Sequence, residues 1–152
     1  ENPLRVIVGL ADEFYNEKVF FDDNYLIFTD RGFDREMIPP FIEHNRVIQL
    51  ESTGRESFTQ GVLEELYKRG VMFAMLEGGA NLATSFMEAG AIDEVLYFYA
   101  PKILGGGYPL FTGQKSKTIQ QGALIELKSS GSTGEDILVH GYLKLEKICL
   151  PE

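Results

Sequence analysis

Val71-Met72-Phe73-Ala74-Met75-Leu76-Glu77-Gly78-Gly79-Ala80-Asn81-Leu82-Ala83 decides how the chain reads. An unbroken apolar run meets a carboxylate and two glycines, and a helical spacing starts directly after them. A run that is apolar throughout suits a strand buried on both faces, as in a parallel sheet covered by helices. Residues 80 to 89 then place Leu82, Ala83, Phe86 and Ala89 on one face of a helix, with Gly90 as the stop. Strand, tight turn and helix together form the βα unit of an open α/β sheet.

The same grammar extends upstream. Phe58, Val62, Leu63, Leu66 and Tyr67 recur at spacings of three and four, which predicts a helix from Ser57. Ser57 or Thr59 suits its start, and Gly70 its end. Before it come three short β-rich runs, 4–8, 25–29 and 46–50, each ended by glycine or polar breakers. Residues 11 to 24 read as a loop, and Pro39-Pro40 excludes a helix there. Downstream, Val95 to Ala100 reads as a fifth strand, closed by Pro101 and Gly105-Gly106-Gly107. The last third holds two runs, 123–127 and 137–143, joined by a Ser- and Gly-rich link without helical pattern. With no crossover helix between them, that pair must be antiparallel. The expected architecture is one α/β domain: a three-layer, mostly parallel sheet flanked by helices, with a C-terminal antiparallel hairpin.

Composition narrows the function classes. The chain has 152 residues and a formal net charge of −9, so its surface as a whole repels phosphate backbones and anionic membranes. Nucleic acid and membrane are therefore not expected partners. One cysteine, Cys149, excludes an intrachain disulfide, and with two histidines it is too little for an ordinary zinc site. No metal is expected, and no apolar run is long enough to span a bilayer. The compartment that fits is reducing and cytoplasmic. The chain opens Glu1-Asn2-Pro3, without Met, which reads as a piece of a longer protein.

Chemistry concentrates at the Gly-Gly turn. Ligands of open α/β sheets bind beyond the carboxyl ends of the strands. A helix start there offers free N–H groups and a positive dipole end to a phosphate or pyrophosphate. Glycine lets such a group approach the backbone. A plain strand-to-helix turn without ligand reads equally well from the spacing. The residues match neither the GxGxxG fingerprint nor a Walker loop. Glu77 stands at the mouth of the sheet, as acceptor for a polar substrate or as a solvated side chain. Asp93-Glu94 reads as solvated charge, His140 as a structural residue within a strand, and His44 as a surface residue. No Ser-His-Asp or Cys-His constellation suggests itself.

The string Glu77-Gly78-Gly79-Ala80-Asn81-Leu82, then Phe86, then Ala89-Gly90-Ala91-Ile92-Asp93-Glu94-Val95, then Ala100-Pro101-Lys102-Ile103-Leu104-Gly105-Gly106, is specific. It resembles the reductase domain of the bifunctional riboflavin-biosynthesis deaminase/reductase, whose fold is that of dihydrofolate reductase. Pro3-Leu4-Arg5-Val6-Ile7-Val8 and Gly134-Glu135-Asp136-Ile137 are similar to further family motifs, so the likeness covers nearly the whole chain. Where the family has a polar pair after the first of these strands, Gly9-Leu10 stand here.

The resemblance implies an NADPH-dependent oxidoreductase that reduces 5-amino-6-(5-phosphoribosylamino)uracil to the ribitylamino product. It implies Glu77 as the substrate-contacting acid. It implies Gly79, Ala80, Asn81, Leu82, Ala83, Thr84 and Ser85 as the cofactor turn. Thr29 and Arg31, at the end of the second strand, are assigned by position and charge to the adenosine ribose or 2′-phosphate. The family's reductase domain begins earlier than residue 1, so 1–152 is expected to be an N-terminally incomplete reductase domain. A fused deaminase domain would lie outside it, and a homodimer or higher homo-oligomer is expected. Two other readings remain open. One is a related reductase of the same fold, acting on a 2,5-diamino-pyrimidine or a folate. The other is a non-catalytic nucleotide-binding or oligomerisation module.

Overall fold

The computed structural model describes residues 2–9, 20, 22–107, 109–112 and 122–144. It divides into two compact units, Glu1–Met75 and Leu76–Glu152. The first holds a parallel sheet of β1 (Arg5–Val8), β2 (Tyr25–Asp30) and β3 (Val47–Leu50), in that spatial order. Ile7 lies opposite Ile27, and Ile27 opposite Val47. The central strand is buried from Tyr25 to Thr29, as a strand with neighbours on both sides must be. Ile7, Tyr25, Ile27, Ile38, Ile42 and Val47 form one apolar cluster. Tyr25 keeps a polar outlet, since its hydroxyl accepts the Glu43 N–H at 3.2 Å. The Arg5 guanidinium pairs with the Asp22 carboxylate and ties the start of β1 to the approach to β2.

The helix expected from Ser57 is α1, Arg55–Lys68. Gly54 is its N-cap, and the Ser57 hydroxyl acts from inside the first turn. It accepts the Thr53 N–H at 2.9 Å and donates to the Gly54 carbonyl at 3.0 Å. Val62 and Leu66 are buried as the spacing required, together with Thr59, whereas Tyr67 is exposed. Gly61 lets the helix come close to β3: a Cβ there would stand 3.2 Å from a Leu50 methyl. Gly70, at φ 78°, ends it in the left-handed region that glycine tolerates.

The fourth expected strand is not formed. Residues 71–79 carry no ladder, and Met72, Phe73 and Met75 are exposed, Phe73 by 96%. An apolar run becomes a strand only when a neighbour accepts from its N–H groups and donates to its C=O groups. None of the described strands pairs with this one.

In the second unit, α2 (Ala80–Glu88) precedes β4 (Glu94–Tyr99), β5 (Leu124–Thr133) and β6 (Asp136–Lys144). These strands form an antiparallel sheet in the order β4-β6-β5. The antiparallel finish is as expected, and its extent is not. β4, read as a parallel strand, lies antiparallel to β6, with Leu96 opposite His140 and Phe98 opposite Leu138. Among the described residues there is thus one parallel and one antiparallel three-stranded sheet rather than a mostly parallel one. The Ser- and Gly-rich link is itself strand; only Gly134 and Glu135 turn, Gly134 at φ 61°. Strand pairing along a polar ribbon needs no apolar pattern, so the spacing rule did not detect it. At Gly141 a Cβ would stand 2.5 Å from the Glu126 carbonyl oxygen, so only glycine fits between β6 and β5.

Charged side chains gather on this sheet. Glu94 pairs with His140, and the Lys128 ammonium donates to the Tyr142 hydroxyl at 2.9 Å. That hydroxyl raises the Lys128 pKa. Glu94 and His140 are therefore partners in a pair rather than isolated residues. His44 is exposed, and Cys149 and most of the 11–24 loop lie outside the described residues.

Candidate functional site at the start of helix α2

The two glycines of the turn do different work. A Cβ on Gly78 would collide with a Leu82 methyl and stand 3.1 Å from the Leu82 Cβ, so close packing against Leu82 favours glycine here. Gly79 is the N-cap of α2, at φ −67° and ψ 176°, and makes no side-chain cap bond. A Cβ on Gly79 would meet nothing within 4 Å. The first intrahelical bond runs from the Ala83 N–H to the Gly79 carbonyl at 3.0 Å. The N–H groups of Ala80, Asn81 and Leu82 precede it and have no backbone acceptor among the described residues. Open space over Gly79 and uncapped N–H groups behind it fit a phosphate or pyrophosphate, attracted by the positive end of the helix dipole.

The rest of the expected turn divides by burial. Ala83 and Thr84 are buried, Thr84 at 0% exposure, so their side chains serve the packed side of α2. The Ser85 hydroxyl donates to the Asn81 carbonyl at 3.0 Å and is used within the helix. Ala80 and Leu82 are half-buried and Asn81 is exposed. A ligand at this turn therefore meets Gly79, Ala80, Asn81 and Leu82. Glu77 is exposed and free of any hydrogen bond or ion pair among the described residues. It no longer ends a strand, but it sits directly before the turn.

The structure adds a residue that sequence reasoning missed. The Thr112 N–H donates to the Thr84 hydroxyl at 2.7 Å, and the Thr112 hydroxyl donates to Asn81 Oδ1 at 2.8 Å. The segment that follows Gly105-Gly106-Gly107 is thereby fastened to the first turns of α2. No local pattern signals a bond across 28 residues.

In the first unit, Thr29 is 2% exposed near the carboxyl end of β2, and its Oγ1 has no hydrogen-bond partner among the described residues. Arg31 is exposed and its guanidinium pairs with Glu51, so an anion there competes with that carboxylate. No group of three His, Cys, Asp or Glu among the described residues is arranged to hold a metal ion. No described helix is long and apolar enough to cross a membrane.

An uncapped, glycine-led helix start in an α/β chain is a local geometry that can take a phosphate group. Comparison with known proteins is more specific. Residues 1–139 match the RibD C-terminal domain family, and the chain belongs to it. It is 31% identical over 109 residues to the riboflavin biosynthesis protein RibD of Synechocystis sp., covering 69% of this chain and 28% of that protein. It is 36% identical over 85 residues to the 2,5-diamino-6-ribosylamino-4(3H)-pyrimidinone 5′-phosphate reductase of Methanothermobacter thermautotrophicus, covering 55% of this chain and 39% of that one. The chain thus spans well under half of these relatives. Among solved structures, Acinetobacter baumannii RibD superimposes with a TM-score of 0.70 at 21% identity, over 93% of this chain and 38% of that one. At that identity the likeness speaks for the fold, an α/β fold shared with RibD structures.

Proposed function

We propose that this chain is the reductase part of a riboflavin-pathway enzyme, an NADPH-dependent oxidoreductase acting on 5-amino-6-(5-phosphoribosylamino)uracil. The observation that carries the reading is the uncapped start of α2 over Gly79, in a chain that matches the RibD C-terminal domain over residues 1–139. The proposal includes the three-layer, dihydrofolate-reductase-like arrangement, a cytoplasmic setting, a homo-oligomer and a deaminase domain outside these residues.

The roles follow from chemistry. The backbone N–H groups of Ala80, Asn81 and Leu82 hold the cofactor pyrophosphate, with Gly79 leaving room for it. Ala83, Thr84 and Ser85 keep that turn in shape. The Glu77 carboxylate accepts hydrogen bonds from the polar substrate. Thr29 and Arg31 are assigned to the adenosine ribose or 2′-phosphate. When bound, the nicotinamide supplies a hydride to the sugar C1′ of the ring-opened imine. The protein contributes orientation of donor and acceptor carbons, a proximity effect.

The test is a titration of the folded chain with NADPH, followed by an NADPH oxidation assay with the ribosylaminopyrimidine phosphate. Gly79→Val is expected to weaken NADPH binding by filling the approach to the backbone. An unchanged dissociation constant in the folded variant refutes the placement of the pyrophosphate. A second reading is favoured by the higher identity to the Methanothermobacter reductase. In it the substrate is the 2,5-diamino-pyrimidinone analogue, and supplying the two substrates in parallel decides between them.

A further inference from the structure

We propose that Thr112 is a positioning residue for the cofactor turn and acts through the Asn81 side chain. The inference rests on the reading that the start of α2 holds the cofactor phosphates. Its own ground is the hydrogen-bond geometry of three side chains.

Asn81 occupies the first turn of α2 and is exposed. A carboxamide can offer an acceptor or two donors to a ligand, and a free one rotates between them. Here the Thr112 hydroxyl donates to Asn81 Oδ1 at 2.8 Å, so the oxygen is occupied. The group left over is the Nδ2 amine, which only donates. A donor beside the uncapped N–H groups adds to a phosphate site, whereas a carbonyl oxygen in its place repels one. Thr112 thus sets the sign of the dipole that Asn81 shows to an anion.

Thr112 can do this because its backbone is held independently. Its N–H donates at 2.7 Å to the hydroxyl of Thr84, which is fully buried and belongs to the packed side of α2. The two bonds have separate jobs: Thr84 fixes where residue 112 stands, and the 112 hydroxyl fixes which way the Asn81 amide faces. The same anchor ends the segment after Gly105-Gly106-Gly107.

The test compares wild type, Thr112→Val, Thr112→Ser, Asn81→Ala and Gly79→Val in the full chain, with NADPH and inorganic pyrophosphate as separate probes. Binding is followed by fluorescence or calorimetric titration and folding by thermal midpoint. Thr112→Val keeps the shape and the backbone bond to Thr84; it loses the hydroxyl's bond to Asn81 and its 3.5 Å contact with Thr84 Oγ1. It is expected to weaken binding of both probes about fivefold, the scale of one ordinary hydrogen bond, with the midpoint unchanged. Thr112→Ser is expected to restore binding, which a role in packing alone would not produce. If Asn81→Ala and Gly79→Val weaken binding while Thr112→Val binds as wild type, the role of Thr112 is overturned and the cofactor turn stands. If neither Asn81→Ala nor Gly79→Val changes binding, or the wild type binds neither probe, the cofactor turn falls and this proposal falls with it.

Discussion

Adjacent glycines can be required for unrelated reasons, and Gly78 and Gly79 separate them. Gly78 has Leu82 where its Cβ would stand, whereas Gly79 faces open space in a backbone conformation any residue adopts. Gly78→Ala is therefore expected to overpack the turn and cost about 1–3 kcal/mol in urea denaturation. Gly79→Ala is expected to leave stability unchanged or slightly raised. Equal losses at both positions would contradict this division. The pair Arg5–Asp22 makes a prediction in pH. The guanidinium hydrogen bond, followed by the Asn24 N–H, holds the Asp22 carboxyl below its ordinary value of 3.8. Its contribution is complete above that value and is lost as pH falls through the lower, folded one. Asp22→Asn should flatten the stability profile only on the acid side, below about pH 4. Chemical denaturation at several pH values reads it, and a difference from wild type that does not shrink as pH falls below about 4 would contradict it.

Elements with similar apolar content have opposite fates here. β2 and the 71–76 run are both apolar enough for a buried strand. β2 has a parallel partner on each side and is buried; 71–76 has none among the described residues and is exposed from Met72 on. Ile27→Ala is expected to cost about 2–5 kcal/mol, because it leaves a cavity in the central strand. Phe73→Ala should change the stability of the chain by no more than about 0.5 kcal/mol, as at an exposed surface site. Hydrogen exchange should show the same contrast, with slow amides in β2 and fast ones over 72–76. Protected amides throughout 72–76 in the isolated chain would show that a partner strand exists.

At the scale of the whole molecule, exposed apolar side chains are the outstanding feature. Met72, Phe73, Met75, Ile103 and Leu104 all show most of their surface to solvent. Large apolar side chains exposed side by side along the chain, as at 72–75 and again at 103–104, are uncommon in a protein that stays alone in water. The chain is expected to associate with itself, and light scattering across a concentration series measures this. A monomer throughout, with full reductase activity, would overturn the proposed homo-oligomer.

Residue order alone determined what is local. The two helices, the parallel strands 4–8, 25–29 and 46–50, the glycine stops and the turn at 77–80 each follow from spacing, branching or capping within a few residues. Tertiary structure decided what depends on partners far along the chain. Whether Val71–Leu76 pairs, that β4 joins β6 rather than the parallel sheet, and that Thr112 holds Asn81 are properties of two distant segments at once. A β-ladder and a side-chain hydrogen bond each need a second group that the local pattern does not name. The Gly-Gly turn was legible because a helix start creates its own free N–H groups. Thr112 was not, because nothing in Leu110-Phe111-Thr112 points to a helix that ends more than twenty residues earlier.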